Sequence, residues 1–81
     1  MIDMDYSDLI EQFRLEMDAY CRYKELLHKY DSHLKAALKE IMWDEYLHAK
    51  FLRNYLMKSG AYTPEEHYEL ERQFRRIEND A

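Results

Sequence analysis

The chain has 81 residues, which allow one domain with a small core, and so short a chain often relies on a metal, a disulfide or a partner chain for stability. Its single cysteine, Cys21, excludes an intrachain disulfide and fits a reducing, cytoplasmic location. The net charge of −5 argues against nucleic-acid binding, and no apolar run approaches the ~18 residues that would cross a bilayer.

Helix-forming residues dominate the composition. Leu, Glu, Lys, Arg, Met and Ala are abundant, valine is absent, and the chain has one glycine and one proline, Gly60 and Pro64. We predict an all-α fold in a single domain that spans residues 1–81.

The first predicted helix covers about residues 7–30, and Ser7 and Asp8 suit its cap and first turn. One of its faces carries apolar or aromatic residues at alternating spacings of four and three, interrupted by one charged residue, Glu16. This stripe consists of Leu9, Phe13, Glu16, Tyr20, Tyr23, Leu27 and Tyr30.

The second predicted helix covers about residues 33–58, with Asp31 or Ser32 as its cap and Gly60 in the left-handed position after its end. Because the connection is short, the two long helices should form an antiparallel hairpin. The second helix has a stripe of the same spacing, which consists of Leu34, Leu38, Ile41, Glu45, His48, Leu52 and Tyr55.

The third predicted helix covers about residues 64–78. Thr63 is its expected cap, Pro64 suits the first helical position, and Glu66 completes a capping box. Its apolar stripe is narrow, and we expect it to lie against the hairpin or against another chain; the stripe consists of Leu70, Phe74 and Ile77.

A second apolar stripe lies on the back of the second helix. Trp43, Leu47 and Phe51 follow one another at spacings of four residues, away from the face that carries Glu45 and His48. Such a surface is too apolar to leave in water. It either seats the third helix or forms a second contact between subunits, and the narrow stripe of the third helix favours an oligomer larger than a dimer.

Glu16, Glu45 and His48 are predicted to converge. If the chain turns between residues 31 and 32, Glu16 lies level with position 47, between Glu45 and His48. The three residues are then about 15 residues, or about 23 Å, from the turn on either helix.

Burial of two carboxylates and an imidazole costs several kcal/mol unless they are paired or bind a metal. Two oxygen donors and one nitrogen donor suit iron, manganese or zinc.

The same residues resemble the ferritin-like superfamily, whose bundles bind two metals through Glu and Glu-x-x-His motifs. Helix one reads "EMDAYCRY", which is similar to the rubrerythrin-type pattern of Glu16, Ala19 and Tyr23, and helix two carries "EYLH", Glu45 to His48. The best match is the encapsulated-ferritin type, whose short chains have two main helices and a short third. The resemblance covers about residues 9–58.

This resemblance implies that two chains pair into a four-helix bundle and share a di-iron centre. Glu16, Glu45 and His48 would be its ligands and catalytic residues, and a homodimer or larger homo-oligomer would oxidise ferrous iron with ferroxidase-type activity. Tyr20 and Tyr23 are candidates to hydrogen-bond a ligand or, alternatively, aromatic core residues. Iron storage would also need a large shell of its own copies or an external nanocompartment such as an encapsulin-type shell.

Two other functions stay open. The polar residues could form a buried network that fixes helix register in a structural or adaptor hairpin without a metal. The centre could also act as a rubrerythrin-like di-iron peroxidase rather than in iron storage.

Overall fold

The computed structural model describes residues 6–30, 32–60, 65 and 67–80. Three α-helices account for most of them: α1 covers Ser7–Leu26, α2 covers Ser32–Ser59 and α3 covers Tyr68–Asp80. No strand occurs in this part of the chain, so the predicted all-α class is confirmed. The helices are ordered along the chain as a long hairpin followed by a shorter helix.

The start of α1 at Ser7 agrees with the prediction, but the helix ends at Leu26 rather than near Tyr30. The reason lies in the hydrogen bonds of the last turn. The N–H groups of His28 and Lys29 donate to carbonyl oxygens three residues earlier, on Glu25 and Leu26, at 3.2 and 3.0 Å. These hydrogen bonds between residues three apart replace the four-residue spacing of the α-helix, so α1 ends here and the turn toward α2 begins.

The end of α2 agrees with the prediction. Gly60 has a φ of 77°, the left-handed conformation that glycine adopts without steric cost, and its N–H donates to the Met57 carbonyl at 3.3 Å. The predicted caps Asp31 and Thr63, and Pro64 and Glu66, lie outside the described residues. The third helix begins at Tyr68, four residues later than predicted, and Glu65 and His67 lie in a turn.

The core lies where the three helices meet. The first helix contributes Phe13, Met17 and Tyr20, which follow the predicted stripe except for Met17. The second helix buries Tyr46, Ala49 and Leu56, whose positions are each one residue beyond the predicted stripe. Because α3 packs beside α1, the buried face of α2 is rotated toward both neighbours. Glu45 and His48 therefore lie at the border of the core rather than at its centre.

The third helix lies against the hairpin, which is one of the two alternatives predicted for it. Its Phe74 ring stacks on Tyr46, with ring centroids 6.2 Å apart, and tilts against Phe13 at 6.0 Å. Polar contacts surround this apolar anchor. Arg53 forms an ion pair with Glu71, and Gln73 Nε2 donates to Asp18 Oδ1 at 3.1 Å. Near the end of α3, Lys24 forms an ion pair with Asp80.

The hypothesis that Trp43, Leu47 and Phe51 seat the third helix is wrong. All three side chains are exposed, because α3 packs over Tyr46 and Arg53 on another side of α2. Within the described ranges, no helix is long and apolar enough to cross a membrane.

Candidate metal centre

Glu16, Glu45 and His48 come together on one face of the hairpin. Glu16 lies in the middle of α1, and Glu45 and His48 lie one turn apart on α2. Each offers one ligand atom, and these atoms lie within 4.8 Å of one another. The equal distance of both arms from the turn predicted this convergence, and the structure bears it out.

The contacts among the three residues centre on Glu16. One carboxylate oxygen of Glu45 lies within 4.8 Å of one of Glu16, and His48 Nδ1 lies 3.5 Å from Glu16 Oε2. The other Glu16 oxygen, Oε1, accepts a hydrogen bond of 2.9 Å from Gln12 Nε2. Glu16 is thus held between α2 on one side and its own helix on the other.

Gln12 was missed by the sequence reasoning, although a signal for it was present. It precedes Glu16 by four residues, and residues at this spacing are neighbours on a helix surface. Its amide orients the carboxylate of Glu16, as a polar partner orients a metal ligand in many metal sites. We therefore add Gln12 as a supporting residue of the site.

The site lies on a face of the hairpin that α3 does not cover. The contacts of α3 on α1 are with Phe13, Asp18 and Lys24, whereas Glu16 faces another direction. Glu16 and Glu45 are both half-buried, and the side chain of Glu16 is 14% exposed, while that of His48 is 58% exposed. The three side chains therefore form a shallow, open cluster rather than a closed cage.

Apolar residues continue along this face on both sides of the cluster. Leu38 and Leu52 are half-buried, and Leu34, Ile41 and Tyr55 are exposed. These are the remaining members of the stripe that the sequence predicted to lie inside a bundle. Since this stripe is only partly buried in a single chain, Glu45 and His48 are enclosed, as expected, only if a further chain packs on this face.

The two carboxyl groups have opposite pKa shifts. The hydrogen bond to Glu16 and partial burial raise the pKa of Glu45 from its ordinary value of 4.5 to about 7. Burial acts to raise the pKa of Glu16, but hydrogen bonds from Glu45 and Gln12 and the nearby His48 outweigh it, so the pKa of Glu16 is lowered. Of the two carboxyl groups, Glu45 is therefore the one that binds a proton near neutral pH.

A proton on one of two neighbouring carboxyl groups marks a position where a cation can replace it. Donor atoms lie about 2.0–2.2 Å from a transition-metal ion, so two donors on opposite sides of one ion are about 4.4 Å apart. The donor atoms of Glu16, Glu45 and His48 lie within 4.8 Å of one another, so a small change of side-chain conformation brings them to that distance. The donor set of two carboxylates and one imidazole thus fits a divalent transition metal, and the assignment of these residues as ligands stays a prediction.

In the described part of the chain, no side-chain hydrogen bond joins Tyr20 or Tyr23 to the cluster. Tyr20 is buried, its ring centroid lies 6.5 Å from that of Tyr46, and this burial raises its pKa. Tyr23 is half-buried. The aromatic environment of Tyr20 agrees with the alternative prediction of core filling.

Comparisons with protein-family models, with curated proteins and with solved structures found no match to this chain. What the chain does must therefore be argued from the geometry of the site.

Proposed function

We propose that the chain is a ferritin-like half-bundle that binds ferrous iron through Glu16, Glu45 and His48 and supports its oxidation. One observation carries this proposal: donor atoms from two different helices lie within 4.8 Å of one another and include two carboxylates and one imidazole. The motif resemblance, with Glu16 on one helix and Glu-x-x-His on the next, supports iron over manganese or zinc.

The composition of the ligand set favours a site shared by two chains. Three donors leave a single ion short of ligands and cannot hold two ions. A two-fold pair supplies four carboxylates and two imidazoles, which suffice for two ions with bridging glutamates. Each chain then contributes half of a di-iron centre.

The surroundings of the cluster support the same pairing. Leu34, Ile41 and Tyr55 lie on the face of α2 that carries Glu45 and His48, and their side chains are exposed in a single chain. Packing of this face against its own copy buries them and gives a four-helix bundle with the six polar residues inside. Desolvation of these residues then makes metal binding necessary to neutralise them.

The residues have distinct roles in this proposal. Glu16 is oriented by the hydrogen bond from Gln12, and Glu45 releases its proton when an ion binds. His48 supplies the nitrogen donor. Two ferrous ions bound there as substrate would each lose one electron to the oxidant and leave as ferric product. Oxygen would take up the two electrons and two protons to give hydrogen peroxide, and peroxide would take them up to give water. Storage of that product additionally needs a shell of many copies or an encapsulin-type compartment.

The test is metal binding by variants that keep the size of the side chain. Purified chain loaded with ferrous iron without oxygen should hold about one ion per chain. Glu16→Gln and Glu45→Gln should each reduce the bound iron at least tenfold. The matched control is Glu25→Gln, which removes an exposed carboxylate from α1 away from the cluster. Equal iron content in all four proteins would contradict the proposal.

Two further experiments distinguish the proposed function from a metal-free structural hairpin and from a di-iron peroxidase. In a structural hairpin, Glu45→Leu combined with His48→Leu is neutral or stabilising and leaves assembly intact, and chelation does not change the melting temperature. In the proposed metalloprotein, iron raises the melting temperature of the wild-type chain and not that of the double variant. Rates of ferrous oxidation by oxygen and by peroxide separate a storage-type centre from a peroxidase.

A further inference from the structure

The exposed side of α3 carries three arginines within five residues, Arg72, Arg75 and Arg76. Their side chains reach into solvent, whereas the helix is buried through Phe74 and Ile77. The chain as a whole has 17 acidic and 12 basic residues, so this cluster of cations is a local exception to its charge. A concentrated charge of this kind attracts ligands of the opposite sign.

The spacing of the three arginines places them side by side. Arg72 precedes Arg75 by three residues and Arg76 by four, and residues at these spacings are neighbours on the surface of a helix. Like charges at these spacings destabilise a helix. An anion bound between the guanidinium groups would remove that repulsion.

The carboxylate beside Arg75 already has another partner. Arg75 Nε lies 3.6 Å from Glu71 Oε1. Both oxygens of Glu71, however, accept hydrogen bonds from Arg53, which donates through Nη2 at 2.5 Å and through Nε at 3.2 Å. Since the negative charge of Glu71 balances that of Arg53, the positive charge of Arg75 is left largely uncompensated.

The other two arginines are also weakly held. Arg72 Nη1 lies 3.7 Å from Glu69 Oε1, and both side chains are exposed, so water competes with this contact. Arg76 forms no ion pair within the ranges that the structure describes. Both guanidinium groups are therefore available to an incoming anion.

A shallow depression of about 310 Å³ lies among these side chains on α3. It offers an anion three guanidinium groups, a phenol hydroxyl and a carboxamide as hydrogen-bond donors. The carboxylate among its described lining residues is the one that Arg53 binds. The lining residues are Tyr68, Glu71, Arg72, Arg75, Arg76 and Asn79.

We infer that this depression binds the phosphate group of a small molecule. The fork of N–H donors on a guanidinium matches the oxygens of a phosphate, and a tetrahedral phosphate accepts hydrogen bonds from several such groups at once. A volume of about 310 Å³ is at the lower end of the range for ligand pockets, which suits a phosphate with a small organic group or none. The net charge of −5 disfavours a long polyanion such as a nucleic acid.

The phosphate site is independent of the proposed metal centre. Glu16, Glu45 and His48 lie on a face of the hairpin that α3 does not cover, and none of them lines the depression. The metal-free chain therefore suffices for the test, and the outcome for phosphate does not depend on whether the chain binds iron.

A nuclear magnetic resonance titration of the full-length chain with inorganic phosphate tests the inference. In a chelating buffer of constant ionic strength, the Nε–H signals of Arg72, Arg75 and Arg76 should shift together and saturate at about one phosphate per chain. Arg76→Gln should weaken binding about tenfold, because glutamine keeps a polar group but loses the charge and the fork of donors. The control, Arg22→Gln, removes an exposed arginine of α1 outside the depression and should leave binding unchanged.

Two further ligands identify the source and the type of anion. Tighter binding of phenyl phosphate than of inorganic phosphate assigns the site to phosphate esters, and equal or weaker binding assigns it to free phosphate. Acetate at the same ionic strength should give no saturating shift. A response to phosphate that does not saturate, an equal response to acetate, or equal losses in Arg76→Gln and Arg22→Gln would overturn the inference.

Discussion

Glu45 meets Glu16 across the two long helices, with carboxylate oxygens within 4.8 Å of each other, and this proximity raises the pKa of Glu45 to about 7. The two carboxyl groups come from positions 29 residues apart in the sequence and share one proton near neutral pH. A metal ion that binds them must displace that proton, so metal affinity, stability and pH are linked at this site.

The first prediction concerns the pH dependence of metal affinity. Below pH 7 most Glu45 side chains are protonated, so binding of an ion releases about one proton per chain. The apparent affinity for a divalent ion should therefore fall about fivefold between pH 7 and pH 6, and change little above pH 8. Titration calorimetry at these pH values, in buffers of different ionisation enthalpy, measures both the affinity and the released proton. A release of no proton at pH 6 would contradict the assignment.

The second prediction concerns the stability of the metal-free chain. The pKa of Glu45 is higher in the folded chain than its ordinary value of 4.5, so its contribution is fully present below pH 4.5. That contribution is lost as the pH rises through about 7. Glu16 acts in the opposite sense, because its lowered pKa stabilises the fold above its ordinary value and is lost in acid. Urea unfolding with chelator should therefore show declining stability from pH 5 to pH 8.

The matched variant for that experiment is Glu45→Gln, which cannot ionise. Its stability should be nearly constant over the same pH range. A decline equal to that of the wild-type chain would assign the pH dependence to other groups.

The third prediction concerns the ion pair between Arg53 and Glu71. Arg53 Nη2 donates to Glu71 Oε1 at 2.5 Å and Nε donates to Oε2 at 3.2 Å, and the guanidinium lies 5.3 Å from the centroid of the Phe74 ring. Glu71 is buried, whereas Arg53 is 26% exposed, so solvent reduces the usual cost of breaking a buried pair. Glu71→Leu should lower the free energy of unfolding by about 2 kcal/mol, which is less than the roughly 3–5 kcal/mol for a fully buried pair.

A double-mutant cycle with Arg53→Met measures the coupling directly, and the double variant should lose less stability than the sum of the single changes. The control pair is Glu69 and Arg72 on α3. Both side chains are exposed, and Arg72 Nη1 lies 3.7 Å from Glu69 Oε1. Its removal should change stability by no more than about 0.5 kcal/mol. A similar loss for both pairs would show that burial does not set the strength of the first.

The fourth prediction concerns the apolar anchor of α3. Phe74 is almost fully buried, between Phe13 and Tyr46. Phe74→Ala should cost about 3–5 kcal/mol, which is a large share of the stability of so small a domain. Tyr68→Ala, at an exposed position on the same helix, should change stability by about 0.5 kcal/mol or less. Chemical denaturation followed by far-UV circular dichroism gives both values, and equal losses would mean that α3 is not anchored through Phe74.

The positions of the helices and the convergence of the three polar residues could be predicted from local features of the sequence. Helix formers fill three segments, and Gly60 ends α2 in the left-handed conformation because it has no Cβ. The convergence of Glu16 with Glu45 and His48 was also predictable. A short turn and straight helices of known rise fix which positions lie at the same level, so the stripe spacing suffices to bring the three together.

The burial of individual residues was decided only in the tertiary structure. The second helix buries Tyr46, Ala49 and Leu56, one position beyond its predicted stripe, because α3 adds a second neighbour and the protected face turns toward both. The burial of Glu71 could not be predicted from the sequence, because its partner Arg53 lies 18 residues earlier, on another helix. A repeating pattern identifies the face of a helix that avoids water, but only the positions of all its neighbours determine which side chains are enclosed.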